Sequence, residues 1–249
     1  MIQGIYQSAA ATDGLQTWND VIARNLAASM TPGFKKDTFT FDGVASGTID
    51  FGDAARPGSH ASFTPMPHGY VSFQNGEMRG TGNPHDFSIQ GSGFFRLQAP
   101  NGDYIYTRDG EFNVSPDGQL VSKQGYPVAG DSGPIQLLPD GGPLSVDSEG
   151  RVRQGTQEVG VLSVFEFDDH SSLKRTLGGF VSDPAHPQEP HIAEGARVKQ
   201  GSLEMSNVSS MHEMVDLITV SNALQANQKV IQTYDASMER AVQTLGSTS

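Results

Sequence analysis

LITVSNALQANQKVIQTYDASMERAVQTL, residues 217–245, decides how the rest of the chain is read. Leu217, Val220, Leu224, Asn227, Ile231, Tyr234, Met238, Ala241 and Leu245 follow alternating spacings of three and four, which is four heptads of inward positions. A 3.5-residue period sustained that long points to a helix with a helical partner rather than one lying on its own core. Asn227 is the lone polar member, and a single Asn at such a seam fixes register and partner number at some cost in stability. Neither Gly nor Pro falls between Gly201 and Gly246. The helix is expected to follow Gly201-Ser202-Leu203, with Ser206 or Asn207 as its cap, since these side chains accept free first-turn N–H groups. Residues 201–249 are therefore expected to be a helical assembly segment.

The opposite end carries a matching stripe. Leu15, Trp18, Ile22, Leu26 and Met30 recur at spacings of 3, 4, 4 and 4, on one helical face. Gly14 weakens the helix before that stripe, and Thr31-Pro32-Gly33 ends it. Residues 1–35 are thus expected to be an N-terminal helical assembly segment. Residues 36–80 are broken by Gly43, Gly47, Gly52, Pro57, Gly58, Pro65, Pro67 and Gly69, and read as an extended connector. Residues 81–200 change character. Phe87-Ser88-Ile89, Phe94-Phe95-Arg96-Leu97, Tyr104-Ile105-Tyr106 and Phe112-Asn113-Val114 alternate with Asn101-Gly102, Asp109-Gly110 and Asp117-Gly118. Short β-favouring runs between such turns describe an antiparallel domain. Its polar end, 168–200, reads as a return loop. The fold class is α+β: N- and C-terminal helices pairing as a coiled-coil-like unit, with an inserted, mainly antiparallel β domain. The positions expected to bury on self-assembly are Leu15, Trp18, Ile22, Leu26, Leu217, Leu224, Asn227, Ile231, Tyr234, Met238 and Leu245.

Chemistry is harder to find. The chain has 249 residues and a formal net charge of −12, with 16 basic against 28 acidic residues. A nucleic-acid partner needs clustered cations, so none is expected. The absence of cysteine excludes disulfides and thiolate chemistry. No apolar run approaches the ~20 residues of a membrane span, so no membrane insertion is expected. The N-terminus lacks the basic and apolar stretches of a cleaved secretory signal. Gly130-Asp131-Ser132-Gly133-Pro134 is similar to a protease nucleophile segment but lacks a His and acid in matching context, so it reads as a β-turn. Gly91-Ser92-Gly93 lacks the following helix of a phosphate loop. Asp168-Asp169-His170 and the His186/His191 pair read as solvated loop rather than metal ligands. Met205, Met211 and Met214 read as core or interface. No catalytic constellation and no cofactor or metal site is expected.

Several motifs, in order, carry a resemblance. Asp20-Val21-Ile22-Ala23-Arg24-Asn25-Leu26-Ala27 precedes Thr31-Pro32-Gly33-Phe34-Lys35. Thr81-Gly82-Asn83-Pro84 leads to Ile89-Gln90-Gly91-Ser92-Gly93-Phe94-Phe95. Tyr106-Thr107-Arg108-Asp109-Gly110 and Asp117-Gly118-Gln119-Leu120-Val121 follow. Gln200-Gly201-Ser202-Leu203-Glu204-Met205-Ser206-Asn207-Val208, Glu213-Met214-Val215 and Lys229-Val230-Ile231-Gln232 close the set. In this order the chain resembles the flagellar hook–basal-body rod proteins over nearly its whole length. Arg24, Ala28-Ser29-Met30 and His85 depart from the family's usual residues. The resemblance implies a non-enzymatic structural subunit of a helical, torque-transmitting rod. It implies partners in copies of itself and other rod and hook subunits, with the export apparatus and chaperones as further candidates. It implies a periplasm-spanning place in the basal body, reached by type III export without a cleaved signal. The competing expectation is an extracytoplasmic β-domain module binding a protein or carbohydrate, with a stable monomer and dispensable ends.

Overall fold

A computed structural model describes residues 2–49, 60–139 and 141–246. The chain is α+β, with one long helix at each end and antiparallel sheets between them. It divides into two compact units. The first is made of residues 1–27, 37–72 and 209–249, and the second of residues 28–36 and 73–208.

The first unit is built on α1 (Ile2–Ala27) and α2 (Ser210–Gly246), which lie against each other. Both form where breakers are scarce, and α1 runs through the buried Gly14 without interruption. It stops at Ala27, one turn short of Met30, which is 85% exposed and belongs to the second unit. Met30 therefore leaves the expected stripe: the bond from Thr31 N–H to Ala28 O closes a turn after the helix. The helical start at the other end is also later than expected. The Glu213 N–H donates to Ser209 O, which puts Ser209 at the cap position. Ser206 and Asn207 are used elsewhere, because Ser202–Glu204 is a strand and not the entry to the helix.

Within 36–80 the structure builds strands. β1 (Asp37–Ile49) and β2 (His60–Val71) form a long antiparallel pair, from Asp37 opposite Val71 to Ile49 opposite His60, with a bulge between Ala45 and Thr48. Pro65 and Pro67 fit because an edge strand tolerates missing N–H groups. Residues 50–59 lie outside the described residues.

The second unit is the β domain. β3 (Met78–Gly80), β4 (Phe87–Gln90), β5 (Phe94–Gln98) and β6 (Tyr104–Thr107) open it. In the main sheet β5 pairs with β6, and β6 with Gly179–Ser182, which pairs with Leu173–Thr176. The other edge of β5 takes Val128–Gly130 at Leu97 and Arg96 and Val164–Glu166 at Phe95 and Phe94. Alternate apolar residues make the core, including Phe87, Ile89, Phe95, Leu97, Phe112, Leu120, Val128 and Leu162. Asp131 and Ser132 form the turn between Val128–Gly130 and Gly133–Pro134, so the protease-like string is a hairpin. The stretch expected as a polar return loop contains strands at Leu173–Thr176, Gly179–Ser182 and Arg197–Gln200. Their single inward residues, Leu173, Phe180 and Val198, are too sparse among polar neighbours to show as periodicity.

The chain returns beside its own entry. Arg197–Gln200 pairs with β4 and Ser202–Glu204 with β3, and the Ser88 and Ser202 hydroxyls meet at 2.7 Å between them.

Candidate assembly interface

Asn25 ties the root of the helical unit together. Its amide donates to Asp37 O at 2.8 Å and to Glu213 Oε2 at 3.2 Å, and its Oδ1 accepts from the Asp37 N–H at 2.9 Å. Asn25 and Glu213 are each 1% exposed. One side chain thus joins the last turn of α1, the start of β1 and the first turn of α2. Burying the Asn25 amide is tolerable because both its nitrogen and its oxygen find partners.

From that root the two helices run antiparallel, since the end of α1 lies at the start of α2. Val21, Ile22 and Val220 are buried near it. Leu15, Trp18, Leu26, Leu217, Leu224, Asn227, Ile231 and Tyr234 are half-buried. Met238 is exposed at 37%, and the Leu245 side chain lies outside the described residues. The taper has a geometric cause. With 26 residues against 37 and the ends level at Asn25 and Glu213, α1 reaches only to about residue 236 of α2, by the common rise of both helices. Residues 235–240 are accordingly all exposed.

The first turns of α2 carry a second apolar face. Met211, Met214, Val215 and Ile218 are 77%, 48%, 58% and 62% exposed. Their spacings of three and four set them on one side of the helix, away from the buried Glu213 and Val220. The sequence reading noted the methionines but not the stripe, because Val215 and Ile218 sit beside the stronger heptad series.

The second unit has its own tie. Glu204 on its strand is 1% exposed and receives Lys35 Nζ and the Gly76 N–H at Oε1, at 2.6 and 2.8 Å, and Arg108 Nη1 at Oε2, at 3.0 Å. Its backbone oxygen accepts from the Gly33 N–H at 2.7 Å. Gly33 is required here: φ is +68°, and a Cβ would stand 2.1 Å from Asp109 N. Lys35 also donates to Gln74 O, Arg108 to Ile89 O and Gly91 O, and Arg175 to Lys35 O. Asn207 accepts from the Lys36 N–H and donates to Gln74 O. Burial pushes the Lys35 and Arg108 pKa values down, and the Glu204 carboxylate opposes that shift. Beside them, burial pushes the Asp109 carboxyl up to about 6, against the lowering effect of the Glu111 N–H and Lys123.

Sequence reading missed this tie although its members were quoted in three motifs. The available signal was that Lys35, Arg108 and Glu204 each stand next to residues typical of turns and cores, where a lone charge needs a buried partner. His170 is a further correction to the solvated-loop reading. Its ring packs 4.9 Å from Phe73 and 5.8 Å from Phe94. No group of three or more potential metal ligands occurs among the described residues.

Comparisons with known proteins meet the same parts of the chain. Residues 88–154 match the flagellar hook protein FlgE/F/G D1 domain, and residues 199–244 match the flagellar basal body rod FlgEFG protein C-terminal region. The chain is 34% identical to the flagellar basal-body rod protein FlgF of Mesorhizobium japonicum, over all of both chains. It is 32% identical to FlgF of Caulobacter vibrioides over 91% of each. It is 30% identical to FlgG of Buchnera aphidicola subsp. Schizaphis graminum, over 98% of this chain and all of the other. Nothing in these relatives favours the binding-module alternative. The chain belongs to the flagellar basal-body rod protein family and is a structural, non-enzymatic subunit of the basal body.

Proposed function

We propose that this subunit polymerises helically through α1 and α2 and passes torque along the rod. The helices form a coiled-coil-like pair within one subunit, and copies of this chain or other rod and hook subunits cover what the pair leaves open. The observation that carries this reading is the uncovered apolar surface of α2: the outer face at Met211, Met214, Val215 and Ile218, and the Met238 turn beyond the reach of α1. Head-to-tail contacts of this kind do not close and so generate a filament.

The β domain and the 36–80 hairpin are read as the parts that set diameter and lateral contacts. The chain passes between its two units four times, after residues 27, 36, 72 and 208. Asn25 and Asp37 are held in one unit, and Lys35, Lys36, Gln74 and Asn207 in the other, so the residues beside these passages are anchored. Export through the flagellar type III apparatus without a cleaved signal, a chaperone on the way, and a periplasm-spanning position complete the proposal. The relative named FlgF aligns over 251 residues, whereas the relative named FlgG needs 267, which favours the FlgF type.

The test is Met211→Ser combined with Ile218→Asp. Both side chains face outward, so helicity and the unfolding midpoint of the free chain should stay near wild type. Incorporation into basal bodies and swimming should be lost. Normal swimming with a stably expressed variant contradicts the proposal.

A further inference from the structure

A cavity of about 250 Å³ in the β domain is bounded by Lys35, Arg108, Phe94 and His170, with Gln74, Asn75 and Ser92 at its polar side. Its donors outnumber its acceptors. Lys35, 1% exposed, has three N–H donors, of which Gln74 O and Glu204 Oε1 take two. Arg108, 4% exposed, has five donors, and its contacts go to Ile89 O, Gly91 O and Glu204 Oε2. Arg108 Nε is buried and meets no acceptor among the described residues, and neither does His170 Nε2 meet a partner. Glu204 is already engaged at both oxygens. Glu166 acts on Arg108 and His170 through space but makes no hydrogen bond to either. Asp169, on the other side of His170, is taken up by Ser171. Buried donors left without acceptors are costly, and cations in a dry site attract a negative acceptor more strongly than in water.

We infer that this cavity is a binding site for a small oxyanion of the carboxylate class, held by the Arg108 Nε–H, the third Lys35 N–H and His170. The Phe73 and Phe94 rings beside His170 wall the site on its apolar side, with Phe180 packed against both of them, and leave Gln74, Asn75 and Ser92 as the entry. The polar side chains there are exposed, so an anion can enter without opening the core. His170 is held neutral by burial and by the neighbouring cations, so it acts as a hydrogen-bonding group rather than a third charge.

The experiment uses the full chain, with sodium acetate, sodium phosphate and sodium chloride added at matched ionic strength. The ¹⁵N-detected Nε–H resonance of Arg108 is followed together with the thermal unfolding midpoint. Acetate should shift the resonance saturably and raise the midpoint, with chloride much weaker. Phosphate binding as tightly as acetate would widen the class to oxyanions generally without moving the site. His170→Phe keeps the ring packing and should weaken the acetate affinity several-fold. A resonance that no anion shifts, or a midpoint that follows ionic strength alone, shows that the cavity holds only water and overturns the inference.

Discussion

Glu204 shows how much depends on one carboxylate. It neutralises two cations and receives the Gly76 N–H, all at 1% exposure. Glu204→Gln leaves Lys35 and Arg108 buried without a counter-charge and should cost about 3–5 kcal/mol of stability. Lys35→Met keeps the Arg108–Glu204 pair and should cost less. Urea unfolding of the full chain, followed in the β domain, checks the order; equal costs would show that the pair energies do not govern the site. Asp109 gives a pH prediction. Its carboxyl is pushed up from 3.8 to about 6, so the folded chain holds that proton more tightly than the unfolded chain. Its contribution is therefore full below about pH 4 and lost as pH rises through about 6, an effect of roughly 3 kcal/mol at 1.36 kcal/mol per pH unit. Asp109→Asn keeps an acceptor for the Glu111 N–H and should flatten the stability profile between pH 4 and 6. An unchanged slope would assign the dependence to other groups.

The helices show what periodicity reveals and what it leaves out. The series from Leu217 to Tyr234 falls on buried and half-buried positions of α2, as expected of a face that a 3.5-residue repeat keeps away from water. Periodicity overran in the N-terminal stripe at Met30, where the turn after Ala27 leaves the side chain exposed. It also placed the start of α2 too early, because Ser202, Leu203 and Glu204 are buried in a strand pair that only the fold brings to β3. The β1–β2 hairpin was obscured by its glycines and prolines, which weaken a strand signal without forbidding an edge pair. The two polar ties were the least legible part. Asn25 with Glu213 and Lys35 with Glu204 are separated by 188 and 169 residues, and spacing carries no information at that range. At this scale Ile231→Asp is the sharpest substitution. Ile231 is half-buried on α2, where a carboxylate loses part of its hydration without a cation to replace it and costs on the order of 1–3 kcal/mol. Circular dichroism should show partial loss of helix with the β domain intact, and assembly should fail. A variant that assembles normally would place the seam elsewhere.

The chain builds a β domain and a helical unit whose longer helix outruns its partner. Those features fit the proposed polymer, since α2 leaves Met211, Met214, Val215 and Ile218 exposed. The most direct measurement is amide exchange along α2, in the free full-length chain and in purified basal bodies that contain it. The account predicts slow exchange at residues 213–224 in both samples. It predicts fast exchange at residues 235–246 in the free chain and strong slowing of those same amides after assembly. Protection of residues 235–246 already present in the free chain, or absent from the assembled rod, would contradict it.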